Sequence, residues 1–240
     1  MINRICFKLL LFIFFLYIDC FSFSHINAST DSCLGEIKFE RIDTVIINPA
    51  LPYYRLHFVS RSGCYSCDVY LGNQIDTIQH IVEDGVDSPW NDDEIQIVDA
   101  NYDGFLDILI LFNRGNTTNE DYEFWLFNPK SGRFEFNREY TDKLMCNPSI
   151  GSKTKEITTG GTTGCIGMCV DNKTYRVIRD ELVLVSHYKQ ELIQSSPDTK
   201  DPVFERTLEK LENGQMKVIH RVSGTLKHID ALWNKYWDLK

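Results

Sequence analysis

Asp99-Ala-Asn101-Tyr-Asp103-Gly104-Phe105-Leu-Asp107 carries side-chain oxygens at its first, third, fifth and ninth positions, with a glycine after the fifth. Alternate residues of a tight loop point inward, so Asp99, Asn101, Asp103 and Asp107 can converge, joined by the Phe105 carbonyl. That is a five-ligand, all-oxygen set of the kind a hard cation such as Ca2+ takes, with Gly104 making the sharp turn. Three carboxylates would repel one another in an empty loop, which favours a metal. The alternative is a metal-free Asp-Gly hairpin turn. On either reading the loop is a structural staple. The expected cofactor is one structural Ca2+, and no activity follows from the loop by itself.

The flanks decide what kind of loop this is. An EF-hand would place a bidentate Glu at its twelfth position, where Ile110 stands, and would have helices on both sides. Instead Glu94-Ile-Gln-Ile-Val98 is short and β-branched. Ile108-Leu-Ile-Leu-Phe112 is a continuous apolar run, as in a strand buried on both faces. A strand on each side of such a loop resembles the FG-GAP repeats of integrin-type propellers.

Strand signals recur outward from there. Glu36–Ile42, Thr44–Ile47, Tyr54–Val59 and Ile75–Val82 precede the loop. Tyr122–Phe127 and Arg133–Phe136 follow it, joined by the turn Asn128-Pro-Lys-Ser-Gly132. Tyr175–Ile178 with Glu181–Val185, and Phe204–Leu211 with Met216–Arg221, read as two more hairpins. The latter closes on Asn213-Gly214, the strongest short hairpin signal. Residues 146–172 read as the least regular, most loop-like stretch. Ala231–Trp237 reads as a short helix or strand. Many short strands at even spacing predict an all-β sandwich, barrel or propeller, and no exact internal repeat is visible.

At the N-terminus, Arg4 and Lys8 precede the apolar run Leu9–Ile18, and a polar stretch ends at Ala28. This predicts a cleaved secretory signal peptide over 1–28 and a single all-β domain over 29–240. The run is too short to span a bilayer comfortably, so no membrane association is expected after cleavage. Removing Arg4, Lys8 and Asp19 leaves 23 basic and 33 acidic residues, a formal charge of −10. That charge argues against nucleic acid and anionic membranes and suits a basic partner. Six cysteines remain: Cys33, Cys64, Cys67, Cys146, Cys165 and Cys169. In an oxidising compartment they predict up to three disulfides, with C-x2-C and C-x3-C spacing as an alternative zinc supply.

The run Asn91-Asp-Asp-Glu-Ile-Gln-Ile-Val-Asp-Ala-Asn-Tyr-Asp-Gly-Phe-Leu-Asp-Ile108, a Gly/Asn loop, then Tyr122-Glu-Phe-Trp-Leu-Phe-Asn-Pro-Lys-Ser-Gly-Arg-Phe134 resembles exported immunity proteins of antibacterial type IV secretion systems. Those proteins neutralise lysozyme-like effectors that cut peptidoglycan. The likeness covers about residues 90–145, and the Tyr175–Val185 hairpin follows it more loosely. It implies a propeller-like arrangement of short antiparallel sheets with one calcium loop; with the expected signal peptide and disulfides, the protein is expected to be periplasmic and disulfide-stapled. It also implies a lysozyme-like peptidoglycan hydrolase as partner, with a loop plugging the enzyme's cleft. The mature chain's cysteines depart from the family pattern at 146–169.

A cleft lined by acidic groups and sugar-binding walls can be filled by donors and a flat ring on a rigid loop. Residues 158–176 offer these: Thr159, Gly160, Gly161, Thr162 and Thr163 supply hydroxyls and backbone amides, and Tyr175 and Arg176 an aromatic and a cationic group. Tyr175 by itself reads slightly more readily as a core strand residue, with Gly160-Gly161 as a turn. Cys165 or Cys169 would stiffen the loop and lower the ordering cost of binding. No G-x-S-x-G, H-E-x-x-H, P-loop or dinucleotide fingerprint stands in the chain, and no catalytic residue is expected. The alternative function is a calcium-dependent extracellular binding or adhesion module for a glycan or surface protein.

Overall fold

The structure, a computed structural model, describes residues 33, 35–85, 87, 91–115, 119–194 and 201–238. The expected signal peptide lies outside them. Among the described residues fourteen strands form three antiparallel sheets, and within each sheet the paired strands are consecutive in sequence. The first sheet contains β1 (Ile37–Val45), β2 (Tyr54–Arg61), β3 (Cys64–Leu71) and β4 (Gln79–Asp84). The second contains β5 (Ile95–Val98), β6 (Asp107–Arg114), β7 (Glu120–Asn128) and β8 (Arg133–Phe136). The third has six strands: β9 (Ser149–Gly151), β10 (Glu156–Gly164), β11 (Cys169–Ile178), β12 (Glu181–Gln194), β13 (Val203–Glu212) and β14 (Gln215–Gly224). Helix α1 (Arg138–Leu144) links the second and third sheets, and α2 (Leu226–Asp238) ends the described chain. The expectation of a β-rich fold holds. The finer expectation of a propeller goes beyond this: the described residues show several antiparallel sheets and no closed propeller.

The second sheet is the middle layer, as the apolar run in β6 demands. Ile108 and Ile110 enter one core with Leu56, Phe58, Val69 and Ile81 of the first sheet. Leu109 and Leu111 point the other way, into a second core with Ile157, Tyr175 and Leu182 of the third sheet and Tyr140 and Leu144 of α1. Phe112, which ends the run, is half-buried, and these four residues are fully buried. Each such side chain contributes roughly 1.5–3 kcal/mol by leaving water, and the period of two divides them between two partner layers. A third, smaller core places Cys169 and Phe204 under Ile229 of α2.

Polar bridges tie the first two layers at defined points. The Gln79 amide donates to the Phe134 carbonyl at 2.6 Å and accepts from the Phe134 N–H at 2.9 Å, as a ladder residue would. The Tyr65 hydroxyl donates to the buried Glu123 carboxylate, which also accepts from Trp125 Nε1 at 3.3 Å. Burial, with Glu123 beside it, raises the Tyr65 hydroxyl well above the usual phenol range.

Candidate functional site

The Asp99–Asp107 loop sits where all three sheets meet. The Leu106 N–H donates to the Ile47 carbonyl at 3.0 Å, and the Asn48 amide donates to the Gly104 carbonyl at 2.8 Å, both from the β1–β2 connection. On the other side the Tyr102 hydroxyl donates to the Glu156 carbonyl of β10 at 3.0 Å. Asp107, fully buried, accepts from the Ala100 N–H and the Phe127 N–H, both at 2.8 Å, and so fastens the loop to β7. The Phe105 ring stacks on Phe127 with centroids 5.7 Å apart.

Within the loop, Asp99 accepts from the N–H groups of Asp103 and Gly104 at 3.1 and 3.0 Å. Asn101 Oδ1 accepts from the Asp103 N–H at 3.1 Å, and Asp103 accepts from the Phe105 N–H at 2.9 Å and from the Asn101 amide at 2.9 Å. Tyr102 and Gly104 take left-handed backbone, with φ of 60° and 89°, to curl the chain around these side chains. Burial pushes the Asp107 carboxyl up to about 7 against the pull of its two amides, and Asp103 and Asp99 add to the push. The donor chemistry fits a hard cation, and the mutual repulsion is what a cation would relieve. The side chains as placed do not close on one. Among the described residues no group of three or more His, Cys, Asp or Glu is spaced to hold a metal.

The expected contact loop over 158–176 is corrected to a regular hairpin, β10 and β11. Gly160 pairs with Asn172, Gly161 with Asp171 and Thr162 with Val170. The threonines and glycines read as loop because they carry no apolar alternation; here their smallness serves close packing. A Cβ on Gly160 would meet the Asp171 carbonyl at 2.0 Å, and one on Gly161 would meet Asn119 Oδ1 at 2.2 Å. The Asn119 side chain completes the ladder on that edge, donating to the Thr162 carbonyl at 2.8 Å and accepting from its N–H at 3.2 Å. Thr159 is buried and its hydroxyl is held by the Leu144 and Cys146 carbonyls, at 3.0 and 2.6 Å. Tyr175 is a core residue, 8% exposed, so its ring is not a surface group. Arg176 is half exposed and ion-paired with Glu156 across the strands, while Thr163 is exposed. Beside β10 a cleft of 240 Å³ is lined by Asn119, Lys143, Cys146, Thr162, Thr163 and Lys173 among others.

Cys165 and Cys169 form a disulfide across the hairpin tip, and Cys33 and Cys64 are also disulfide-bonded. Cys67, fully buried, and the half-buried Cys146 are free thiols, so the six cysteines supply two of the up to three bridges expected. Burial raises both thiols, Cys67 strongly, and so disfavours their reactive thiolates. The disulfides fit an oxidising compartment. Among the described residues no helix is long and apolar enough to cross a membrane.

No protein-family model and no curated protein matches this chain. A solved structure described as that of a Xanthomonas type IV secretion system related protein is similar, at 18% identity and a TM-score of 0.46. The match covers 76% of this chain and 99% of that one. Likeness at this level says nothing of activity.

Proposed function

We propose that this protein is an exported immunity protein that binds a lysozyme-like peptidoglycan hydrolase and blocks its cleft, rather than an enzyme. The observation that carries the reading is local. The two stretches that resemble such proteins, the oxygen-rich loop and the Tyr122–Phe134 hairpin, adjoin in one sheet and are fastened together by Asp107. The loop would hold one calcium through Asp99, Asn101, Asp103, the Phe105 carbonyl and Asp107. The ion would supply charge neutralisation at the junction of the sheets and no chemistry on a substrate. A scaffold locked at that junction would present the β10–β11 hairpin as a rigid projection, which lowers the ordering cost of binding. The chain's acidity would steer it toward a basic enzyme.

The test uses the chain from residue 29 as bait in lysates of its source and of competing bacteria, with captured proteins assayed for peptidoglycan cleavage. Capture of a hydrolase that the bait silences supports the proposal. Saturable sugar binding, with no hydrolase silenced, would favour the calcium-dependent binding module instead.

A further inference from the structure

The β10–β11 tip reads Gly164-Cys165-Ile166-Gly167-Met168-Cys169. At its apex Ile166 is 99% exposed. It also takes left-handed backbone, φ 56° and ψ 44°, directly after Cys165 at φ 55°. For a β-branched residue that conformation is a strained outlier, and glycine would hold it without cost. Strain of this kind persists only where the surroundings over-determine it, and it concentrates at binding and catalytic sites.

The surroundings do over-determine it. The Cys165–Cys169 disulfide closes the base of the tip. Cys165 and Met168 pack against the third core of Cys169, Phe204 and Ile229. The Met168 carbonyl accepts from the Gln190 side-chain amide, whose oxygen accepts from Arg206 Nε. Arg206 in turn pairs with Asp230 of α2 at 2.6 Å. Every side group of the tip is thus held from behind except Ile166.

The geometry points to Ile166 as a preformed anchor that enters an apolar, side-chain-sized pocket on a partner protein. The inference rests on the function proposed above, so that partner is the peptidoglycan hydrolase. A single buttressed apolar side chain suits a pocket at the centre of an interface, where ordered anchors contribute most of the affinity. It is a poor membrane probe: one side chain gives little insertion area, and a chain of formal charge −9 is repelled by anionic lipid.

The test compares inhibition curves of the wild-type chain, Ile166→Asp and Ile166→Gly on the captured hydrolase, with melting temperatures of all three. Ile166→Gly should melt at or above the wild-type temperature, since strain is relieved and no contact is lost. Its half-inhibiting concentration should rise about 10- to 100-fold, the range expected for unburying an isoleucine. Ile166→Asp should inhibit no better. If the wild type silences the hydrolase and both variants do so at the same concentration, Ile166 is not the anchor and the proposed function stands. If the wild type silences no hydrolase, both fall.

Discussion

Asp107 spends both carboxylate oxygens on buried backbone N–H groups, one in its own loop and one in β7. Removing the acceptor strands both donors away from water, at a cost of about 1–3 kcal/mol each. Asp107→Ala should therefore lose about 2–5 kcal/mol in urea unfolding, measured in chelator so that no ion contributes. Asp107→Asn, which keeps one acceptor oxygen, should lose less. Gly160 makes a different kind of demand. Its φ of 129° and the carbonyl 2.0 Å from where a Cβ would sit exclude any side chain without movement of β11. Gly160→Ala should destabilise by roughly 1–3 kcal/mol by the same measurement, whereas an exposed-turn change such as Gly72→Ala acts through backbone strain alone.

At the scale of elements, β6 was legible because the apolar run Ile108–Phe112 reads as a strand buried on both faces, and Ile108–Leu111 are buried in that way. Leu109→Ala should cost about 2–5 kcal/mol through the core shared with the third sheet. Helix α1 escaped a period-based reading because it is only seven residues long. Its signal was the cap: Asn137 accepts from the Tyr140 N–H at 3.0 Å, and Asn137→Ala should cost about 1 kcal/mol. Strand β3 was hidden by its cysteines, Cys64 and Cys67, which read as punctuation between strands. Ile75 looked like the start of a strand but lies 90% exposed before β4 begins at Gln79. In the hairpin, Thr159–Gly164 lacked any apolar alternation, and the side chains that complete its outer edge, Asn119 and Asn147, lie outside the hairpin. The C-x3-C spacing that closes on Ile166 was the one visible sign that this tip is built to be rigid. Replacing both Cys165 and Cys169 by serine should cost about 2 kcal/mol, given so short a loop.

Across the whole molecule, one nine-residue loop touches the β1–β2 connection, β7 and β10, so whatever orders it orders the packing of three sheets. An ion bound there at about a hundredfold above its dissociation constant would add roughly 2.7 kcal/mol to the stability of the fold. Chelation should then lower the melting temperature by about 5–10 °C in a single transition, and Asp99→Ala and Asp103→Ala should reproduce the loss without chelator. Unchanged melting, with no calcium in the purified protein, would make the loop a turn. Calcium does not by itself separate an inhibitor from a calcium-dependent binding module, because the ion would be structural in both. The decisive measurement is a titration of a captured peptidoglycan hydrolase with the chain from residue 29, reading cleavage of purified peptidoglycan alongside the mass of the complex. The account predicts that cleavage falls to zero at a one-to-one ratio as a complex of the two proteins forms. Full cleavage at a large excess of this protein, with the two eluting apart, would contradict it.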